Sequence, residues 1–87
     1  MPSQGPADWV VYILRCGDGS LYTGVTKNLE SRIKAHANGK GAAYTRTHPP
    51  IQLVYKEGPF TRSEALVREA KLKRLPKPKK EELVRSA

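Results

Sequence analysis

The sequence predicts an α+β domain in which a three-stranded antiparallel sheet is flanked by helices, in the order β-β-α-β-α-α. Three observations lead to this class. Residues 9–16 form a β-branched and aromatic run, a Gly-Asp-Gly-Ser turn follows it, and a T-x-x-E capping box begins at Thr61. With 87 residues, the chain is expected to form one domain with at most a two-layer core.

The first two strands are expected to form a hairpin. Residues 9–16 are apolar enough to be buried on both faces, residues 17–20 supply turn chemistry, and residues 21–26 return. The loop length stays open. A two-residue loop would place Tyr12 and Tyr22 on opposite faces, whereas a three-residue loop with a left-handed Gly19 would pair Leu14 with Tyr22 and place both tyrosines on one face.

The first helix is predicted to begin at Leu29, because Asn28 is a good N-cap. An apolar stripe of Leu29, Ile33 and Ala37 follows at one-turn spacing. Gly39 is expected to end the helix.

Residues 39–50 contain glycine, threonine and a proline pair, which indicates an exposed, basic loop. Residues 51–57 alternate well enough for a third strand, and Gly58-Pro59 is expected to end it.

The capping box at Thr61 and Glu64 predicts a second helix that runs to about Leu75, because Pro76 cannot continue it. Residues 76–87 read as a basic connector with a short terminal helix at 81–85. We therefore predict a frayed tail over residues 1–8 and one domain over residues 9–87.

The charge of the chain favours a polyanionic partner. Sixteen lysines and arginines against eight acidic residues give a formal charge of +8, which points first to nucleic acid, with an anionic membrane surface as the rival partner. The lone Cys16 excludes an internal disulfide and fits a reducing cytoplasm. Neither a signal peptide nor a membrane span is recognisable, so we expect no membrane association.

Two pairs of polar side chains lie close to the expected core. Tyr12 and Tyr22 are either ordinary strand aromatics or a shared polar face. Arg32 and His36 share a face of the first helix, where an arginine fork could hold a phosphate and the histidine could move a proton. The alternative for this second pair is a solvated helix surface.

Glu69 falls in the middle of the second helix, at the edge of an apolar stripe. A carboxylate there needs a partner, since burying it alone is costly. A divalent metal could be that partner, but an ion pair with Lys73 or with the nearby Arg62 is favoured on spacing alone.

Basic residues and one aromatic ring could contact nucleic acid through phosphates and by stacking. Their alternative is a solvated charged surface. The candidates are Lys27, Lys40, Tyr44, Arg46, Arg68, Lys71, Lys73 and Arg74.

Other catalytic patterns are missing from the sequence. It contains no Gly-rich phosphate loop ending in Lys-Ser/Thr, no HExxH, no GxSxG and no zinc-ligand spacing. A single acid near the core argues against a two-metal site built from several carboxylates.

The segments VYI at residues 11–13 and YTG at residues 22–24, followed by Arg32, His36 and Glu69, resemble the GIY-YIG endonuclease superfamily, in particular its small single-domain bacterial members. The resemblance covers residues 9–75 and implies a metal-dependent phosphodiesterase with a three-stranded antiparallel sheet.

The resemblance also implies a role for each motif residue. Tyr22 would be the general base or would position the water, and Tyr12 would orient the water or the scissile phosphate. Arg32 would hold the phosphate, and His36 would contact the nucleophile or the phosphate. Glu69 would hold one Mg²⁺ or Mn²⁺, and the absence of a side chain at Gly24 would let the backbone pass close to the site.

Three functions are therefore weighed. The main hypothesis is a cytoplasmic, Mg²⁺- or Mn²⁺-dependent endonuclease that acts on DNA in repair, recombination or degradation. The second is a non-catalytic or weakly catalytic module of the same fold that binds DNA or RNA. The third is an adaptor that docks on an acidic protein surface. The oligomeric state is not readable from sequence, and a monomer is the default.

Overall fold

The computed structural model describes residues 6–40 and 47–86. Its three strands form one antiparallel sheet in the order β2-β1-β3, and three helices flank that sheet. This architecture confirms the predicted class and element order. The elements are β1 (Trp9–Arg15), β2 (Leu21–Thr26), α1 (Leu29–Ala37), β3 (Gln52–Phe60), α2 (Arg62–Arg74) and α3 (Lys77–Arg85).

Strand β1 is the central strand and is covered on both sides. Four consecutive side chains, Val11, Tyr12, Ile13 and Leu14, are buried. Val11 and Ile13 pack with Ala65 and Leu72 of α2. Because side chains alternate along a strand, Tyr12 and Leu14 point to the opposite face, where α1 lies.

The hairpin has the three-residue loop that puts both tyrosines on one face. Leu14 pairs with Tyr22, as that alternative requires. The loop closes through two hydrogen bonds, in which the Cys16 amide donates to Ser20 O and the Gly19 amide donates to Cys16 O, both at 2.9 Å. Gly19 has a φ of 87°, the left-handed conformation that glycine adopts without a steric cost.

Strand β3 does not end at Gly58-Pro59 as predicted. It starts at Gln52 and continues to Phe60, which pairs with Trp9. A register shift inserts one extra residue on β3 between the pairs Val11–Glu57 and Trp9–Phe60. A proline fits here because β3 is an edge strand, so the ladder needs no N–H from it on the outer side.

Both predicted helix caps are confirmed. The Asn28 side chain accepts a hydrogen bond from the Ser31 amide at 3.0 Å. Thr61 and Glu64 form the reciprocal capping box, with the Thr61 amide donating to the Glu64 carboxylate at 2.8 Å and the Glu64 amide donating to the Thr61 hydroxyl at 3.2 Å. Helix α2 ends at Arg74, one residue before the expected Leu75.

The expected apolar stripe of α1 is wrong in its last turn. Ala37 is exposed, and His36 is the buried side chain instead. The His36 imidazole has a polar partner on the sheet, the hydroxyl of Tyr12. The hydrogen bond between them offsets the free-energy cost of burying the imidazole. Gly39 does follow the helix with a left-handed φ of 75°.

Helix α3 is longer than predicted. It begins at Lys77, not at residue 81, and carries Pro78 in its first turn, where proline loses no helical hydrogen bond. The guanidinium of Arg15 donates two hydrogen bonds, of 2.8 and 2.5 Å, to the carboxylate of Glu81 on α3. This contact between residues 66 positions apart holds the basic C-terminal segment against the hairpin.

The predicted tail over residues 1–8 and the loop residues Tyr44 and Arg46 lie wholly or mostly outside the described residues. Over residues 6–40 and 47–86, the helices are too short or too polar to cross a bilayer.

We expect the Thr23→Val substitution to stabilise the protein. The Thr23 hydroxyl is buried and has no hydrogen-bond partner among the described residues. Removing an unsatisfied hydroxyl should raise the free energy of unfolding by about 1 kcal/mol, which corresponds to roughly 4–8 °C in melting temperature. Urea and thermal unfolding would measure both quantities.

Thr26 provides the matched control. It is also buried, but its hydroxyl accepts a hydrogen bond from the Asn28 amide at 3.1 Å. Thr26→Val should therefore destabilise the protein. A loss of stability of the same size in both variants would contradict the assignment of Thr23 as an unsatisfied group.

Candidate functional site

Tyr12, Tyr22 and His36 form one aromatic cluster, here called the tyrosine cluster. The Tyr12 hydroxyl and the Nε2 atom of His36 are hydrogen-bonded at 3.0 Å. The ring centroids of Tyr12 and His36 are 5.9 Å apart, and those of Tyr22 and His36 are 5.4 Å apart. The hairpin register and the buried face of α1 thus bring three of the predicted site residues together.

Gly24 makes room for a side chain in this cluster. It pairs with Tyr12 across β1 and β2. A Cβ atom built on Gly24 would lie 2.5 Å from the Tyr12 hydroxyl oxygen and 2.7 Å from Cζ. The Tyr12 ring therefore lies directly over Gly24 on its way to His36. The resemblance implied that Gly24 lets the backbone pass close to the site. In this structure, the missing side chain of Gly24 leaves space for the phenol ring of Tyr12.

Burial raises the pKa of Tyr12 from 10.0 to about 12. The negative charges of an ionised Tyr22 and of Glu69 add to this rise, and the charge of Arg32 partly opposes it. Tyr12 therefore remains a neutral phenol at physiological pH. Tyr22, Arg32 and Glu69 therefore each lie within electrostatic reach of the Tyr12 hydroxyl.

His36 is kept neutral by its surroundings. Burial lowers the pKa of the imidazole, and the positive charge of Arg32 lowers it further. The pair that Tyr12 and His36 form is therefore a hydrogen bond between two neutral groups. Such a pair orients the imidazole without adding a charge to the site.

Arg32 stands one helical turn before His36 on α1 and is exposed. Its charge lowers the pKa of both Tyr12 and His36, so this exposed residue lies within electrostatic reach of the tyrosine cluster. An exposed arginine fork beside neutral phenol and imidazole groups is suited to a phosphate.

Glu69 approaches the same site from α2. Its side chain is 19% exposed and pairs with Lys73 at 3.2 Å, which is the ion pair favoured on spacing. The other proposed partner, Arg62, is instead stacked over the Trp9 ring, with its guanidinium carbon 5.9 Å from the ring centroid.

Glu69 suits a metal site that the substrate completes. Within residues 6–40 and 47–86, no three His, Cys, Asp or Glu side chains lie together as a metal cluster. Mg²⁺ is commonly held by one or two carboxylates, with waters and substrate phosphate oxygens as its other ligands. A single, partly exposed carboxylate such as Glu69 fits that pattern.

The basic residues predicted to contact nucleic acid fall into two groups. Lys27, Lys40, Lys71 and Arg74 are exposed, although Lys27 lies 3.8 Å from Asp8. The other two described candidates, Arg68 and Lys73, form ion pairs within the protein.

Arg68 is the more firmly engaged of those two. Its guanidinium makes a two-point ion pair with Glu57, at 2.5 and 2.9 Å, and this pair ties α2 to β3. Lys73 is paired with Glu69 as described above. The predicted contacts that are exposed among the described residues are therefore mainly lysines, and the contact of Arg68 with nucleic acid stays a prediction.

A groove next to the tyrosine cluster was missed by the sequence analysis. It has a volume of about 290 Å³ and is here called the Trp9 groove. Arg32 belongs both to this groove and to the edge of the cluster. The signal in the sequence was the single tryptophan at the start of β1, which was interpreted only as a strand residue. The groove is lined by Trp9, Thr26, Lys27, Asn28, Ser31 and Arg32.

A larger groove of about 390 Å³ lies on α2, between Phe60 and Lys71. None of the predicted catalytic residues is among those that line it, which are Phe60, Ser63, Glu64, Val67, Arg68 and Lys71. The position of the polar residues, and not the size of the cavity, therefore identifies the candidate site.

The chain is similar to one protein family and to several bacterial proteins. The family model of the GIY-YIG catalytic domain matches residues 8–82. The UPF0213 protein of Staphylococcus saprophyticus is 51% identical over 74 residues, which cover 85% of this chain and 90% of the relative. The UPF0213 protein of Desulfotalea psychrophila is 48% identical over 87 residues, which cover 99% of this chain and 79% of the relative.

Two solution NMR structures are similar to this fold. The UPF0213 protein of Bacillus halodurans superposes with a TM-score of 0.57 at 49% identity, covering 87% of this chain and 81% of that one. A protein from E. faecalis superposes with a TM-score of 0.61 at 36% identity, covering 98% and 90%. The match over residues 8–82 and these relatives show that the chain belongs to the GIY-YIG catalytic domain family.

Proposed function

We propose that this protein is a divalent-metal-dependent endonuclease that hydrolyses phosphodiester bonds in DNA. The observation that carries the proposal is the meeting of Tyr12, Tyr22 and His36 in one cluster, within electrostatic reach of Arg32 and Glu69. Two phenols, a neutral imidazole, a guanidinium and a carboxylate together supply proton transfer, phosphate binding and a metal ligand. Membership of the GIY-YIG catalytic domain family supports the same chemistry.

The two tyrosines have different roles in this mechanism. Tyr12 is a buried phenol with a raised pKa, so it stays protonated and can only donate or accept a hydrogen bond. We assign it to the orientation of His36 and of the attacking water or the scissile phosphate. Tyr22 is partly exposed beside His36, where it can reach a water molecule, and we assign it as the general base or water-positioning group.

Arg32 holds the scissile phosphate in the proposed mechanism. Two of its five N–H donors can bind two phosphate oxygens at once, and they stabilise the charge that develops as the bond breaks. Its position at the exposed edge of the cluster leaves the guanidinium open to a ligand. His36, neutral before the reaction, contacts the nucleophile or the phosphate.

Glu69 would hold one Mg²⁺ or Mn²⁺. A metal bound there would acidify a water and stabilise the leaving oxygen. The chain itself contributes the carboxylate, and Lys73 would have to release it, because the two side chains are paired at 3.2 Å.

The proposed partner follows from the charge of the chain. A formal charge of +8 and exposed lysines on several elements favour a polyanion, with DNA first and RNA as an alternative. A buried, unpaired Cys16 is compatible with our proposal that the protein acts in the reducing cytoplasm. A monomer is proposed as the default oligomeric state.

A cleavage assay tests the proposed function directly. Labelled single-stranded, duplex and branched DNA, with matching RNA, would be incubated with Mg²⁺, Mn²⁺ or EDTA. We expect internal cuts in at least one DNA form with metal and none with EDTA. Binding of these nucleic acids without metal-dependent cleavage of any of them would contradict the proposal.

A second candidate is a binding module that retains the fold without efficient turnover. The ion pair of Glu69 with Lys73 favours it, because a carboxylate engaged in this way is less available to a metal. This candidate predicts binding that weakens as salt increases, with no metal-dependent products. The same assay, with binding measured by anisotropy at several salt concentrations, separates the two candidates.

We expect Tyr22→Phe to slow cleavage by about 10²–10⁴-fold, the usual contribution of a general base. Tyr12→Phe should have a smaller effect, because Tyr12 positions His36 and does not take the proton. Single-turnover rates at saturating metal would measure both losses.

Tyr55→Phe is the matched control for loss of a phenol. Its hydroxyl donates to Glu57, outside the tyrosine cluster. Cleavage by this variant should equal that of wild type. A Tyr12→Phe loss as large as that of Tyr22→Phe would reverse the division of roles.

A further inference from the structure

The Trp9 groove lies directly beside the proposed site and has the chemistry of a nucleotide-binding pocket. Among the described residues, its lining consists of Trp9, the cations Lys27 and Arg32, and the polar residues Thr26, Asn28 and Ser31. Its volume of about 290 Å³ is near the lower limit for small-molecule sites, so it would hold a fragment of about one nucleotide.

We propose that this groove takes one unstacked nucleobase of the nucleotide next to the scissile phosphate, with Trp9 as its stacking partner. This inference rests on the proposed nuclease function and adds a substrate class to it. It requires a base that is not already stacked within a duplex, so the substrate is single-stranded at that position or distorted there.

Arg32 connects the groove to the site. It lines the groove and also acts electrostatically on Tyr12 and His36. A phosphate held by Arg32 would therefore have the tyrosine cluster on one side and the groove on the other. The nucleotide attached to that phosphate is the part of the substrate that reaches the indole.

The position of Trp9 is defined by neighbours on both sides. It starts β1 opposite Phe60 and packs against the edge of the core. The guanidinium of Arg62 covers the ring at 5.9 Å, an arrangement in which a cation orients an aromatic face. The ring is partly exposed even so, which leaves indole surface available to a base in the groove.

The cations complete the binding chemistry. Lys27 lies beside Trp9 at the groove and is exposed, with Asp8 at 3.8 Å as its salt-bridge partner. An exposed pair of this kind contributes little and is readily exchanged for a phosphate. An apolar peptide offers no anion to Lys27 or Arg32, whereas a nucleotide can stack on the ring and bring a phosphate to the two cations.

The single tryptophan makes this inference measurable in the intact protein. A 12-nucleotide single-stranded DNA would be titrated into wild type in EDTA, with intrinsic tryptophan fluorescence and anisotropy of a labelled strand recorded in parallel. We expect saturable quenching of the tryptophan signal that follows the anisotropy. The complementary duplex should quench less at the same bound fraction.

Substitutions at Trp9 test the stacking contact. Trp9→Leu keeps apolar volume against the core but removes the ring, and should weaken binding of the single strand by about 5- to 150-fold. Trp9→Phe keeps a ring and should stay close to wild type. Far-UV circular dichroism and melting temperature would show that both variants fold.

Lys27→Met tests the cation beside the ring, with Lys79→Met as the charge-matched control. Lys79 is exposed on α3 and outside the groove. We expect Lys27→Met to weaken single-strand binding more than Lys79→Met.

Three results would overturn the inference. They are tryptophan fluorescence that does not change at saturation, quenching by the duplex equal to that by the single strand, and Trp9→Leu binding equal to wild type. If metal-dependent cleavage persists in these cases, the groove inference fails and the nuclease proposal stands. If neither binding nor cleavage occurs, both fail.

Discussion

Replacement of Glu69 by glutamine is expected to reduce metal-dependent cleavage by at least about 10²–10³-fold, the scale of loss seen when one charge-stabilising group is removed from an active site. Glutamine keeps the size of the side chain but lacks the charge that a divalent cation requires. The fold should remain intact, because Glu69 is partly exposed and its described ion pair is with an exposed lysine. Cleavage rates over a range of Mg²⁺ and Mn²⁺ concentrations, together with circular dichroism, would measure the effect.

Two further variants make this test specific. Glu82→Gln removes an equal charge from an exposed position on α3 and should cleave as wild type does. Lys73→Met frees the Glu69 carboxylate from its ion pair and should lower the metal concentration that gives half-maximal cleavage. Wild-type cleavage by Glu69→Gln would rule out Glu69 as the metal ligand.

Gly24→Ala is expected to disrupt the tyrosine cluster. The new methyl group would lie 2.5 Å from the Tyr12 hydroxyl oxygen and 2.7 Å from Cζ, closer than any van der Waals contact allows. The ring must move, and the 3.0 Å hydrogen bond to His36 breaks with it. Overpacking of this kind costs about 1–3 kcal/mol in stability. Cleavage should fall further than the loss of folded protein explains.

Urea unfolding and single-turnover cleavage, measured on the same samples, would separate these two effects of Gly24→Ala. Gly19→Ala is a useful comparison, because its left-handed φ of 87° makes alanine strained although no atom lies within 4 Å of the added Cβ. That variant should lose stability and keep the chemistry of its folded fraction. Full activity in folded Gly24→Ala would show that the Tyr12–His36 contact is not needed.

Much of the fold could be predicted from the sequence, because strands, turns and helix caps depend on residues that are close together in the chain. The strand residues of β1 and β2, the cap at Asn28 and the capping box at Thr61 each depend on groups a few positions apart, and all are confirmed. The hairpin loop was reduced to two alternatives by the parity of strand side chains. The Leu14–Tyr22 pair then decided between them.

The errors have a common origin in contacts between distant segments. Ala37 was predicted to lie on the buried face of α1 because it is apolar. His36 is buried instead, because its imidazole is hydrogen-bonded to the hydroxyl of Tyr12, 24 residues away. Strand β3 passes Gly58 and Pro59 because its outer edge needs no partner. Arg68 stays a predicted nucleic-acid contact, and its ion pair with Glu57 is a tertiary contact that the sequence did not indicate.

The sequence by itself determined which elements form and in what order, because periodicity, turn residues and caps act over a few positions. Only the tertiary structure decided which polar groups meet. The ring of Tyr12 reaches His36 because Gly24 leaves a space under it, and Arg32 joins that cluster to a groove containing Trp9. Such contacts depend on side-chain directions and on packing between segments far apart in the chain, which no local pattern records.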